Sequence, residues 1–142
     1  MEGFLQSLGN NFVSKDGIDD GSSLKSVQLI GIYFSAHWCP PCKSFTPILE
    51  KFYNEVNASG KVFEIVFATS DSDEEYFNEY FATMPWIAIP FGSKEIQNLK
   101  IKHGVSGIPK LVILKTDETV VSDNARGDVT NLGINAWSKW TA

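Results

Sequence analysis

Cysteine is scarce in this chain: Cys39 and Cys42 are the only two among 142 residues. So small a number excludes the disulfide-rich scaffold of small secreted domains. Each of these cysteines has only the other as an intramolecular partner. A disulfide between them is therefore expected to be catalytic rather than structural, as in a reducing compartment.

Long apolar runs and an excess of basic residues are also missing. The apolar stretches are only as long as strands, so we expect no transmembrane helix and no membrane partner. The start of the chain lacks a basic segment followed by an apolar core, so we expect no signal peptide and a cytoplasmic location, with the nucleus as an alternative. Lys and Arg number 12 against 17 Asp and Glu, a net charge of -5, which argues against a nucleic-acid partner.

The length and composition predict one folded domain over residues 1–142. Hydrophobic residues make up 43% of the chain and charged residues 20%, as in soluble globular proteins. A chain of this length can bury a substantial core. No repeat, low-complexity tract or linker divides it.

The two cysteines belong to the sequence Cys39-Pro40-Pro41-Cys42, which directly follows Trp38. The apolar run at 29–34 predicts a buried strand before this motif, because it is short and rich in β-branched and aromatic residues. A helical pattern follows the motif. A C-x-x-C between a strand and a helix indicates thiol–disulfide exchange, whereas two ordinary core cysteines need not occupy this position.

The start of that helix predicts which cysteine reacts. We place Cys39 at the N-cap and Pro40 and Pro41 in the first two helical positions, where proline is tolerated. Pro41 has no N–H, so only the N–H of Cys42 remains to be donated to the Cys39 sulfur. With the helix dipole, this favours a Cys39 thiolate with a pKa moderately below the usual value of about 8.5. Cys42 lies deeper and is expected to resolve a mixed disulfide.

The rest of the chain alternates between strand and helix patterns. We predict strands at 11–13, 27–35, 61–69, 111–114 and 119–122, the last two as a hairpin. We predict helices from the motif to about 58, at 72–83 with Ser72 and Glu75 as a capping box, at 93–104 and at 131–140. The apolar face of the first helix comprises Phe45, Ile48, Leu49, Phe52 and Val56. Residues 84–91 are an apolar connector, and the order predicts an α/β fold with a mixed sheet.

Several motifs together give the chain a resemblance to the thioredoxin superfamily. These are Trp38 with the C-x-x-C, Pro47 eight positions after Cys39, and Gly107-Ile108-Pro109. The Pro-Pro pair, the sequence Phe45-Thr46-Pro47 and the sequence at 84–91 resemble more narrowly the tryparedoxin/nucleoredoxin branch. The resemblance implies a thioredoxin-like fold, a central mixed β-sheet flanked by helices, in which the Ile108–Pro109 peptide is cis and Pro109 packs against the sulfurs.

The same resemblance implies a protein-disulfide reductase that needs no cofactor. Cys39 and Cys42 are then the catalytic pair, and the implied substrate-binding residues are Trp38, Pro40, Pro41, Ile108 and Pro109. The partners are disulfide-containing proteins and an electron donor, either a reductase or a low-molecular-weight thiol. A redox-dependent protein-binding regulator with little turnover is the alternative.

Two positions depart from the pattern of these families. Thioredoxins have a buried aspartate six positions before the first cysteine, and this chain has Tyr33 there. Tryparedoxins resemble this chain around Ser70 but have a tryptophan at that position, thought to help hold trypanothione; its absence favours a nucleoredoxin-like protein.

Metal ligands are not arranged as a site in the sequence. His37 is too near Cys39 to share a tetrahedral zinc site easily, and His103 has no second histidine three to five residues away. The acidic residues at 71–75 suit the first turn of a helix better than a metal site. We therefore predict no metal.

Overall fold

The computed structural model describes residues 12–15, 17–19 and 21–142, so Asn11 of the predicted first strand lies outside the described residues. The strands are β1 (Phe12–Ser14), β2 (Gly17–Asp19), β3 (Leu29–Ser35), β4 (Phe63–Thr69), β5 (Ile87–Ala88), β6 (Lys110–Lys115) and β7 (Val120–Ser122). The helices are α1 (Ser23–Ser26), α2 (Pro40–Val56), α3 (Glu74–Phe81), α4 (Lys94–Lys102), α5 (Ala125–Leu132) and α6 (Asn135–Thr141). Among these helices none is long and apolar enough to cross a membrane.

The strands form one mixed sheet in the order β2-β1-β5-β4-β3-β6-β7. Parallel pairing joins β3 to β4 and β4 to β5, whereas β6 runs antiparallel to β3 and β7 antiparallel to β6. The predicted mixed sheet and terminal hairpin are confirmed. The helices flank this sheet, and the fold is thioredoxin-like, as the resemblance implied.

Alternate residues of the central strands supply two hydrophobic cores. Tyr33, Phe67 and Leu111 belong to the core that α2, α3, α5 and α6 cover. Ile32 and Val66 belong to the core under α1 and α4. Because side chains alternate across a strand, β3 and β4 contribute to both cores and are buried along their whole length.

Four local predictions are corrected by the structure. Three concern a helix cap, the connector at 84–91 and one residue of α2, and the fourth concerns the last helix. The capping residue of α3 is Asp73 rather than Ser72, since the Asp73 carboxylate accepts from the N–H groups of Glu75 and Tyr76. The connector at 84–91 contains β5, which pairs with both β4 and β1. Ile48 lies at the edge of the apolar face of α2 and is 45% exposed.

The single last helix predicted at 131–140 is two helices, α5 and α6. Gly133 lies between them with a φ of 57°, a left-handed conformation that glycine adopts without steric cost. This conformation ends α5, so α6 starts in a new direction and can pack Trp140 into the core.

A buried carboxylate connects this C-terminal region. Asp128 of α5 accepts hydrogen bonds from Ser122 Oγ at 2.9 Å, Lys139 Nζ at 3.0 Å and Trp140 Nε1 at 2.9 Å. Burial raises the pKa of the Asp128 carboxyl, but the hydrogen bonds from Trp140, Lys139 and Ser122 outweigh burial, so its pKa lies below the usual value.

We predict that Asp128→Asn lowers the free energy of unfolding by about 1–3 kcal/mol at neutral pH, because a charged acceptor of three donors is lost. Since the folded pKa is depressed, this stabilisation is present above the unfolded pKa of about 3.9 and disappears as pH falls through the folded value. Urea unfolding from neutral to acidic pH measures both effects. Exposed Asp123→Asn is the control, and an equal loss in both variants would contradict the assignment.

Candidate redox site

The site forms where strands β3 and β4 end. The two strands are parallel and in register to their last residues, Ser35 opposite Thr69. Strand β6 runs the other way and starts with Lys110 beside Phe34. The segments that follow β3 and β4 and the segment that precedes β6 therefore meet at one edge of the sheet, as in other α/β folds.

Helix α2 begins as the sequence predicted. Cys39 is the N-cap in extended conformation, Pro40 and Pro41 follow it, and the Cys42 N–H donates to Cys39 Sγ at 3.3 Å. A disulfide joins Cys39 and Cys42, whose Cα atoms are 5.2 Å apart. The sulfur of Cys39 thus lies at the positive end of the helix dipole with one backbone donor.

The two sulfurs differ in accessibility, and so do the predicted substrate-binding residues. Cys39 is 4% exposed, whereas Cys42 is fully buried. Trp38 is 59% exposed beside them, and Pro40 and Pro41 are also exposed. Cys39 is therefore nearly buried but is flanked by exposed apolar side chains.

The loop before β6 completes the surroundings of the sulfurs. The Ile108–Pro109 peptide is cis, as the resemblance implied. The carbonyl oxygen of Ile108 lies 3.9 Å from Cys39 Sγ. Ile108 is half-buried and packs against the cluster of Ala36, Cys39 and Cys42, while Pro109 is buried. Ile108 is thus more exposed than Pro109.

Asp71 is a residue of this site that the sequence analysis missed. Its carboxylate is buried and accepts the His37 N–H at 2.9 Å and 3.1 Å, one distance to each oxygen. The Thr69 hydroxyl donates to the same carboxylate at 2.8 Å. Asp71 therefore fixes the turn that carries Trp38 and Cys39. Its place two residues after a buried strand was the available signal, but the acidic residues that follow it made the segment resemble the first turn of a helix.

The ring of His37 packs against helix α3. It stacks on Tyr76 with centroids 4.9 Å apart and planes 4° from parallel, and meets Tyr80 edge-on. Its Nε2 lies 3.4 Å from Glu79 Oε2. The Asp71 carboxylate thus holds the backbone of the turn before Cys39, and α3 holds the His37 side chain of the same turn.

Four hydroxyl groups form a chain beneath α2. Thr46 Oγ1 donates to the Cys42 carbonyl at 2.9 Å and lies 2.7 Å from the Tyr33 hydroxyl and 2.6 Å from the Tyr80 hydroxyl. The Tyr33 hydroxyl also donates to the Cys42 carbonyl at 3.3 Å, and Ser35 Oγ lies 2.7 Å from the Tyr80 hydroxyl. The chain joins the first turn of α2 to β3 and α3.

Tyr33 cannot replace the buried carboxylate of thioredoxins as a base. Burial, reinforced by the neighbouring Tyr80, raises the pKa of its phenol far above the usual value of 10.0. The hydroxyl therefore stays protonated at neutral pH. The proton of Cys42 must leave through water or another group.

No metal site is formed by the part of the chain that the structure describes. Within it, no group of three or more His, Cys, Asp and Glu side chains could hold a metal ion. His103 caps the C-terminus of α4. Burial, together with the nearby Lys102 and Lys110, lowers the pKa of its imidazole, although Glu118 acts in the opposite direction.

Comparison with known proteins agrees with this geometry. A family model described as thioredoxin-like matches residues 27–120, which contain β3, both cysteines and Pro109. This chain belongs to the thioredoxin-like family. Mouse (Mus musculus) nucleoredoxin is 40% identical to this thioredoxin-like protein over 118 residues, which are 80% of the chain and 27% of nucleoredoxin. The chain thus spans about a quarter of that relative's length.

Solved structures place the protein in the same branch. Tryparedoxin I from Crithidia fasciculata is 38% identical, with a TM-score of 0.85 over 93% of each chain. Tryparedoxin II complexed with glutathionylspermidine is 30% identical, with a TM-score of 0.83 over 94% of each chain. The protein is therefore a thioredoxin-like member of the tryparedoxin/nucleoredoxin branch, as the motifs indicated.

We predict that Thr46→Val lowers the free energy of unfolding by about 1–3 kcal/mol. Valine has nearly the same shape, but it leaves the hydroxyls of Tyr33 and Tyr80 and the Cys42 carbonyl without their shared partner. Urea unfolding measures the loss. Ser44→Ala, an exposed position on the same helix, should change stability by less than about 0.5 kcal/mol. A Thr46→Val protein as stable as wild type would show that the hydroxyl chain contributes nothing.

Proposed function

We propose that this protein reduces protein disulfides through its Cys39–Cys42 dithiol. The observation that carries the proposal is the position of the Cys39 sulfur at the N-terminus of α2, with the Cys42 N–H as donor. Membership of the thioredoxin-like family supports thiol–disulfide exchange as the chemistry. Reduction of protein disulfides, rather than of small disulfides, is the part that needs a direct test.

The reaction needs two exchange steps. In the first, the Cys39 thiolate attacks one sulfur of the substrate disulfide, forms a mixed disulfide and releases the other substrate sulfur as a thiolate. In the second, the deprotonated Cys42 attacks Cys39 Sγ, forms the intramolecular disulfide and releases the second substrate thiol. Two electrons pass from the protein to the substrate, and an external thiol must return them. Cys42, the fully buried member of the cysteine pair, suits the internal step.

Substrate docking is assigned to the surface around Cys39. Trp38, Pro40 and Pro41 offer exposed apolar atoms on one side of the sulfur. Ile108 offers its side chain and backbone on the other, where an extended segment of a substrate can pair. Buried Pro109 is proposed to shape this loop rather than to offer much contact area.

The partners and cell location are further parts of the proposal. The electron donor is a reductase or a low-molecular-weight thiol, and the complex of tryparedoxin II with glutathionylspermidine supports the second class. We assign residues 1–142 to one thioredoxin-like domain, since their described strands form a single sheet. The cytoplasm, with the nucleus as an alternative, is the proposed location.

A redox-gated binding role is the second candidate function. The exposed Trp38 beside the disulfide favours it, because an exposed aromatic side chain is a common anchor for a protein partner. Multiple turnovers of insulin reduction with a regenerating thiol support the reductase. Stoichiometric capture of a partner without turnover supports the regulator.

We predict that Cys39→Ser abolishes insulin reduction, because it removes the nucleophile of the first step. Cys42→Ser should still attack but stop at a mixed disulfide, which mass spectrometry detects as a covalent adduct. A fully active Cys39→Ser protein would overturn the mechanism.

The reduction potential of the Cys39–Cys42 disulfide can be predicted from the same geometry. A single backbone donor stabilises the Cys39 thiolate only moderately, so the disulfide should be a moderate oxidant. We expect a potential between about -270 and -180 mV, the range from thioredoxin to protein disulfide isomerase. Equilibration with glutathione measures it. A value near -120 mV, that of a strong oxidant, would reverse the direction of electron flow.

A further inference from the structure

A cleft of about 310 Å³ lies between α2 and α3, and its lining includes residues that flank the two cysteines in sequence. His37, two residues before Cys39, and Lys43, one residue after Cys42, line the cleft. Consecutive Cα atoms are about 3.8 Å apart, so this end of the cleft is within about 8 Å of the redox pair along the backbone. The volume lies at the lower limit of small-molecule pockets, about 300 Å³, and suits one inserted side chain better than a cofactor.

The walls of the cleft combine apolar surface with carboxylates. Buried Thr46 and Tyr80 line it, and the ring of Pro47 adds apolar surface. Glu50 enters from α2 and Glu79 from α3, so carboxylates face the cleft from both helices. Glu79 is 65% exposed and reaches His37 Nε2 at 3.4 Å, which leaves its other oxygen open to a ligand.

The exposed face of α3 continues this acidic surface. Glu75 is four residues and Tyr76 three residues before Glu79, so all three share one side of the helix. Tyr76 is 48% exposed and stacks on His37. Its exposed edge and face, flanked by carboxylates, offer a cation–π contact. The one lysine that lines the cleft is Lys43.

We propose that this cleft is a specificity pocket for the lysine or arginine side chain of a disulfide-containing substrate. The methylene stem would lie along Pro47 and Tyr80, and the cationic group between Glu50 and Glu79. The protein would then select disulfides with a basic residue beside the attacked cysteine. The pocket rests on the proposed function, because it acts on the same Cys39 exchange step.

Three disulfide-bridged peptides that differ at one position test the pocket. The residue beside the attacked cysteine is arginine, norleucine or glutamate, and the full chain is used in its reduced form. Its oxidation by excess peptide is followed in single turnovers at several peptide concentrations. We expect arginine to react about threefold to tenfold faster than norleucine at low peptide concentration, and glutamate to react slowest. The limiting rates at saturation should agree, since the pocket binds without touching the sulfurs.

Matched variants assign the preference to the cleft. Glu50→Gln with Glu79→Gln should remove the arginine preference, and Glu79→Lys should invert it in favour of glutamate. Lys43→Gln should increase the arginine preference, because the competing cation is gone. Exposed Glu55→Gln lies near the far end of α2, about 20 Å from its start, and should leave the preference unchanged.

Equal rates for the three peptides, or an arginine preference that persists in the double variant, would overturn the pocket while leaving the reductase intact. A reduced protein that reacts with none of the peptides would overturn the proposed function and the pocket with it. The ionic strength gives a further check, since about 1 M salt should weaken the arginine preference by screening the carboxylates.

Discussion

The hydrogen bond from the Cys42 N–H to the Cys39 sulfur is the interaction on which the rest of this structure depends. It exists because Cys39 is the N-cap of α2 and because Pro40 and Pro41 have no N–H to offer. One donor and one helix dipole then act on the same sulfur. The reactivity of the Cys39 sulfur therefore follows from the position at which α2 begins. The surrounding fold holds the N-terminus of α2 in place.

Three separate contacts hold the start of α2. Strand β3 delivers it to the edge of the sheet, Asp71 fixes the preceding turn through the His37 N–H, and Thr46 fixes the first helical turn through the Cys42 carbonyl. The Thr46 contact is buried and the Asp71 contact is partly buried, so water competes little for either of them. Cys39 is nearly buried, with exposed Trp38 and Pro40 beside it, while the groups behind it are fixed.

The features that could be predicted from the sequence are those decided by nearby residues. The N-cap at Cys39 and the hairpin of β6 and β7 depend on a few adjacent side chains and turned out as expected. The two-residue strand β5 could not be predicted, because its pairing with β4 and β1 is purely tertiary. The break at Gly133 was missed because glycine also occurs within helices.

The same distinction applies inside the site. Cys39, Cys42 and the cis Ile108–Pro109 peptide were identified from motifs, whereas Asp71 was not. An aspartate after a strand serves equally as a helix cap, a surface charge or a buried acceptor. Only its proximity to the His37 backbone, 34 residues away in sequence, decides between these roles. The hydroxyl chain is hidden for the same reason, since its members come from β3, α2 and α3.

The most direct test of this account is the pH dependence of alkylation at each cysteine of the reduced protein, measured by mass spectrometry. Helix-end stabilisation predicts that Cys39 is labelled faster than Cys42, with an apparent pKa below the usual value of about 8.5. Cys42 should react slowly at every pH because it is buried. Faster labelling of Cys42, or a Cys39 pKa at or above about 8.5, would contradict the central role given to the start of α2.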